Sequence, residues 1–353
     1  MFTKKIMEYI GDISQIGGIK RYCHLSGKAK GVEAFDINNG NGLLFTVLVD
    51  RGLDIANLSY KGLPMSFISR TGIVSPCYYN ERGLEWLRSF TGGFLTTCGL
   101  TQVGEPCTFE GNEYGLHGHY ANLPAEITRN DADWQDDRYV MEISGKIRQA
   151  KHQSENLVLK RTIKTVMGED SIIIEDCIRN EGGRKEPFMI LYHMNFGYPF
   201  LNPNSEIILP VKSTQGWDDF SKNHLGSFLE ITEPLTDAPN YTYLHELHAD
   251  ANGRTGYMIV DNMKDPSIGI SVKFNKAALP FLGQWKYFHK KDYIMALEPC
   301  NNQINGVEYE CQRGTLRYLE PDEEVKICLE VTFLNSAVKI QKEKQFYKAL
   351  SKN

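Results

Sequence analysis

Apolar and polar positions alternate with a period of two along much of this chain. The run Tyr139-Val140-Met141-Glu142-Ile143-Ser144-Gly145-Lys146-Ile147 sets apolar residues against polar or small ones. That spacing puts one set of side chains on each face of a strand, with one face buried. Leu157 to Val166 continues the theme, and Gly168-Glu169-Asp170 turns the chain into Ser171 to Ile178. Asn180-Glu181-Gly182-Gly183 turns it again. Two further strands are expected at Gly42 to Val49 and Glu324 to Phe333. Helical spacing is rare. Lys4 to Ile10 predicts one short helix, and residues 337–353 predict a C-terminal surface helix with apolar positions at Ile340, Tyr347 and Leu350. Strands at this spacing, joined by Gly, Asn and Asp turns, predict an all-β fold: a large antiparallel β-sandwich with a few short helices.

Composition narrows the possibilities. A length of 353 residues alone suggests two or three domains, but no linker-like tract and no internal repeat divides the chain. Residues 1–353 are therefore expected to form one domain, and 41% hydrophobic residues suffice for a large core. The net charge is −5 with both signs interspersed, which argues against nucleic acid or an anionic membrane as partner. No apolar run reaches the length of a transmembrane helix, and Met1 to Glu8 lacks the apolar core of a secretion signal. The eight cysteines are scattered singly with no CxxC pair, which disfavours a zinc knuckle and fits free thiols in a reducing cytoplasm. A long exposed strand edge would favour a homodimer, but the sequence does not show which strands are edges.

Three stretches set ionisable groups among apolar, Gly or aromatic residues: Leu116-His117-Gly118-His119, Leu191-Tyr192-His193-Met194-Asn195-Phe196-Gly197 and Ala296-Leu297-Glu298-Pro299. Burying such groups is costly unless they are hydrogen-bonded or do chemistry. Two imidazoles and a carboxylate that converge in a fold make a minimal acid–base set. Each also has a structural reading: His117 and His119 as turn histidines, His193 as a core histidine, Glu298 as an edge-strand residue. On a strand His117 and His119 would share a face, as a metal or substrate site requires. A cupin-like metal motif would add a carboxylate three or four residues on, but the next here is Glu126, so that reading is disfavoured. Arg51 and Arg88 are candidate donors to hydroxyls or carboxylates. For Arg51, between Asp50 and Asp54, a loop brace is the commoner role.

Taken in order, several short segments resemble the galactose mutarotase-like superfamily, in its aldose 1-epimerase-like branch of unassigned substrate. They are Gly11-Asp12-Ile13-Ser14-Gln15, Asp50-Arg51-Gly52-Leu53-Asp54-Ile55, Gly92 to Leu100, Gly115-Leu116-His117-Gly118, Tyr192 to Gly197 and Leu297-Glu298-Pro299. The resemblance spans nearly the whole chain and implies a mutarotase-type supersandwich. It implies His193 as general acid, Glu298 as general base, His117 as a substrate binder and Arg88 as an arginine holding sugar hydroxyls. Tyr192 departs from the Asn that precedes the family's histidine, and His119 stands where Gly or Arg is expected. Anomer exchange needs no metal or organic cofactor. An acid–base pair of this type requires a His193 held near or above its ordinary value of about 6.5 and an ionised Glu298. Trp285 and Phe196 are candidate sugar-stacking aromatics, with Gln284 and Lys286 expected to reach hydroxyls from the same loop as Trp285. The implied partner is a small sugar. Three functions stay open: an aldose 1-epimerase, a non-catalytic sugar-binding or sensing protein, and a metal-dependent sugar isomerase using His117 and His119.

Overall fold

The computed structural model describes residues 3–263 and 267–351. Three antiparallel sheets carry most of it. An eight-stranded sheet runs in the order Ala125–Gln135, Arg138–Ala150, Asn156–Val166, Ser171–Asn180, Glu324–Leu334, Ile268–Asn275, Arg254–Asp261, Ser205–Ile208. A six-stranded sheet runs Val211–Gly216, Asn240–Leu247, Phe281–His289, Asp292–Cys300, Met189–Gly197, Leu95–Leu100. A five-stranded sheet runs from Gly18–Cys23 through Glu33–Asn38, Leu43–Leu48 and Asp54–Tyr60 to Leu63–Pro64.

The period-two segments became strands because alternation buries one face. In Arg138–Ala150, Tyr139, Met141, Ile143, Gly145, Ile147 and Gln149 are buried while the residues between them are not. The strand Met189–Gly197 is different: all of its residues are buried, so it is covered on both faces. Ile190, Tyr192, Met194 and Phe196 join the main core shared with the eight-stranded and five-stranded sheets. Met189 and Leu191 join a second apolar cluster on the opposite face. His193 and Asn195 lie on that second face too, by alternation. The same split divides the neighbouring strand, where Met295 and Leu297 enter the main core and Ile294 and Cys300 the second cluster.

The helix Ala337–Leu350 forms as expected, capped by the Ser336 side chain, and its Ile340, Tyr347 and Leu350 pack on Met258, Val260 and Leu334. Lys352 and Asn353 of the expected helix, like Met1 and Phe2, lie outside the described residues. The predicted N-terminal helix is a 3₁₀ segment, Lys4–Glu8, with no buried side chain to hold a longer α-helix.

Beneath the site, on the core side of the six-stranded sheet, lies a buried charge network. Arg161 is fully buried and donates to Asp54 at 2.8 Å and to Asp176 at 2.7 Å. Thr97 donates its hydroxyl to Asp54, and Tyr192 donates its hydroxyl to Asp176. The network thus ties the strand carrying His193 and its neighbour Leu95–Leu100 to the sheet behind them. Arg161→Met should cost about 3–5 kcal/mol, because it strands two buried carboxylates without a counter-charge. Chemical denaturation of the variant would check this, and a midpoint equal to wild type would contradict it.

Candidate active site

The site is set by strand register. Leu191 pairs with Cys300 and Met194 with Leu297. That register places His193 directly across from Glu298, on the face away from the main core. His193 Nε2 lies 3.2 Å from Glu298 Oε1, and the residues are 4% and 3% exposed. On the next strand Gly283 is opposite Glu298. A Cβ at Gly283 would stand 2.8 Å from Glu298 Oε2 and 2.6 Å from Ile304 Cδ1, so glycine leaves the carboxyl its room. Gly283→Ala should lower any activity of the pair more than tenfold while the fold persists. An unchanged kcat, measured beside the melting temperature, would refute that.

Aromatic rings surround the pair. Phe90 and Trp285 lie against His193, with ring centroids at 5.3 and 5.9 Å. His117 meets His193 edge-on at 6.0 Å, and Trp86 covers His117 at 4.9 Å. His117 sits in a turn with φ of +59°, a left-handed conformation uncommon outside glycine and costing about 1–3 kcal/mol. Its backbone is pinned by bonds to Gly104 and Gly99. The Gly104 N–H donates to His117 Nδ1 at 3.3 Å, so in the neutral ring Nε2 carries the proton and serves as donor.

Charge in this setting is expensive. Burial raises the Glu298 carboxyl to about 8 and lowers the His193 imidazole to about 3. Burial lowers His117 as well. The expectation that His193 stays near or above 6.5 beside an ionised Glu298 is therefore corrected. Among the described residues no Lys or Arg pairs with the carboxylate, and the neutral pair holds its proton on Glu298. His193 Nδ1 and Asn195 Oδ1, two residues apart on one face, are both buried without a partner.

The structure brings His193, Glu298, His117 and Trp285 together, and it separates the other candidates from them. Arg88 is on the same short helix as Trp86, but its side chain is 76% exposed and pairs with Glu85. Arg51 is buried and donates to the carbonyls of Val74 and Ser89, a brace beneath the segment that carries Trp86 and Phe90. Its partners are carbonyls, because Asp54 is engaged by Arg161 and Asp50 accepts from the Glu33 N–H. Gln284 and Lys286 flank Trp285 on a strand, not in a loop, so they point to the opposite face. There Gln284 meets His245 at 3.0 Å and donates to Phe228 O, while Lys286 donates to the carbonyls of Ser227 and Glu230. His119 does not share a face with His117, since the segment is a turn and not a strand; it lies against Tyr79 and 3.4 Å from Glu81. Phe196 packs in the core with Phe94 and Tyr257. Among the described residues no group of three or more His, Cys, Asp or Glu is placed to hold a metal ion. Sequence reasoning missed Trp86, Phe90, Asn195 and Gly283. Trp86 and Phe90 flank Arg88 in the chain, and these two aromatics, not the arginine, face the site.

The family model described as a domain of unknown function, DUF4432, matches residues 29–333. This chain belongs to the DUF4432 family. Solved structures place the DUF4432 chain in the galactose mutarotase-like sandwich fold. A Klebsiella pneumoniae protein provisionally titled aldose 1-epimerase superposes with a TM-score of 0.85 at 24% identity, over 94% of this chain and 87% of that one. A galactose mutarotase-like protein of Clostridium acetobutylicum gives 0.66 at 15% identity, over 91% and 99%. The galactose 1-epimerase of Lactobacillus acidophilus gives 0.60 at 13%, over 90% and 99%. At these identities the likeness is one of fold. No protein of curated function matches the DUF4432 chain's sequence. No helix among the described residues is long and apolar enough to cross a membrane.

Proposed function

We propose that the protein is an aldose 1-epimerase, interconverting the anomers of a free monosaccharide by acid–base ring opening and closure. The observation that carries this reading is the buried His193–Glu298 pair, 3.2 Å apart and walled by aromatic rings. Fold likeness to proteins titled epimerases and mutarotases adds support.

The chemistry follows from the proton inventory. In the free protein the pair holds one proton, on Glu298. On binding, the bond between the two residues is exchanged for bonds to the sugar. Glu298 gives its proton to the ring oxygen while His193 Nε2 takes the proton of the anomeric hydroxyl. The C1–O5 bond breaks and C1 becomes an aldehyde. The C1–C2 bond rotates and presents the other carbonyl face. Closure runs the steps in reverse: the O5 hydroxyl attacks C1, Glu298 recovers that proton, and His193 returns its own to O1. The resemblance implied the opposite assignment, with Glu298 taking the anomeric proton and His193 protonating the ring oxygen; the raised Glu298 carboxyl and lowered His193 imidazole favour the exchanged roles. The His117 Nε2–H and the rings of Trp86, Phe90 and Trp285 hold and orient the sugar.

Polarimetry tests the proposal. A freshly dissolved pure anomer of a substrate sugar should reach its equilibrium rotation faster with the protein than without it. A panel of aldoses in which no rotation changes faster would overturn it.

A further inference from the structure

The epimerase reading requires a lone pair on His193 Nε2, and a neutral imidazole has one there only when its proton sits on Nδ1. The tautomer of a histidine is set by the partner at its other nitrogen. We infer, resting on that reading, that Asn195 is this partner: a positioning residue whose Oδ1 accepts the Nδ1–H and keeps Nε2 free to take the anomeric proton.

The strand makes the placement. His193 and Asn195 lie two residues apart in Met189–Gly197 and project from the same face. The Asn195 carboxamide folds back over residue 193: its Nδ2 donates to the His193 carbonyl at 2.8 Å and to the Gly92 carbonyl at 3.3 Å. Those two acceptors fix the direction of the amide, because a flipped amide would set its oxygen against both carbonyl oxygens. Oδ1 is left as a buried acceptor with nothing donated to it, and His193 Nδ1 is the other buried side-chain atom of this strand without a partner. A donor and an acceptor that share a face, each costly to leave unsatisfied, are complements. They stop short of hydrogen-bond geometry in the free protein, as catalytic contacts often do before a substrate is bound. Burial and then His117 lower the His193 imidazole, and Asn195 acts against them, as an acceptor beside the ring does. The opposite tautomer would set the Nδ1 lone pair against the lone pairs of Oδ1. It would also turn Nε2, 3.2 Å from Glu298 Oε1, into a donor.

NMR of protein carrying nitrogen-15 in its histidine rings tests this, since the protonated and lone-pair nitrogens of a neutral imidazole resonate far apart. Of the nine histidines, the His193 signals are those lost in His193→Gln. Near neutral pH the wild-type proton should sit on Nδ1. Asn195→Leu, which keeps the bulk and removes the acceptor, should shift the tautomer ratio toward Nε2–H by roughly 5- to 150-fold, the range for a buried donor left unsatisfied. Its kcat for anomer exchange should fall about tenfold or more, with KM within about twofold of wild type. Asn195→Asp should return the proton to Nδ1 and recover most of kcat, the carboxyl proton standing in for the Nδ2–H. A wild-type proton on Nε2 would overturn the inference, and that result needs no variant of Asn195 to fold. So would an Asn195→Leu protein with the wild-type tautomer, or an Asn195→Asp protein that behaves like Asn195→Leu. The two readings fail separately. A tautomer that depends on Asn195 in a protein that exchanges no anomers would leave the positioning standing and remove the epimerase. Exchange in a protein whose tautomer ignores Asn195 would do the reverse.

Discussion

Glu298→Gln and His193→Ala should each lower the rate of anomer exchange by a factor of about 10²–10⁴, the usual loss when a positioned acid or base is removed. The glutamine keeps the shape of the carboxyl but has no proton to give to the ring oxygen. Alanine at 193 removes the acceptor for the anomeric proton. The double variant should be little slower than either single one, because one proton circuit runs through both residues and is already broken by the first change. Arg88→Ala should leave the rate within about twofold, since that side chain points to solvent and pairs with Glu85. Initial rates by polarimetry decide among these. Rates at the wild-type level in both dyad variants would remove the residues from the mechanism.

Titration of the same pair should govern both rate and stability. The reactive form holds one proton. It is lost as pH rises through the Glu298 value of about 8, and a second proton enters as pH falls toward the His193 value of about 3. The rate should therefore be flat across neutral pH and fall above about 8, with apparent values that belong to the pair and not to either residue. Stability follows from linkage. Glu298 has its folded value raised above the ordinary carboxyl value of 4.5. Between those two values the folded carboxyl binds more protons than the unfolded one, so its contribution to stability declines as pH rises. Glu298→Gln abolishes that decline. It should match wild type near pH 4 and exceed it by roughly 5 kcal/mol above pH 8, at about 1.4 kcal/mol per pH unit between 4.5 and about 8. Urea denaturation at the two pH values measures the difference. Equal stabilities at both would show that the carboxyl is ionised in the folded protein. A residue that destabilises the fold it sits in fits a site selected for chemistry and not for packing.

Much of this architecture was legible in the sequence. Residues 139–147, 157–166 and 171–178 announce strands because one buried face forces alternation, and Gly168 and Gly182 mark the turns between them. The pair His193 and Glu298 was legible because each interrupts an apolar run that has to be buried. What sequence could not give was which face a flanking residue takes. Gln284, Trp285 and Lys286 are adjacent in the chain, yet only Trp285 shares the face of Glu298, a fact fixed by the register Gly283–Glu298. The arginines misled for a related reason: Arg51 and Arg88 both lie near the site, but their guanidinium groups find carbonyls and Glu85 first. His119 misled because Leu116 to His119 turns instead of extending, with His117 at positive φ. Gly283 is silent in sequence, since its contribution is the space it leaves.

The most direct measurement is saturation transfer between the two anomeric proton resonances of a reducing sugar at equilibrium, with wild type, Glu298→Gln and folded His193→Ala side by side. The account predicts transfer that grows with wild-type concentration on at least one sugar and is absent from both variants. Transfer that persists in either variant, or is absent from wild type on every reducing sugar, would contradict it.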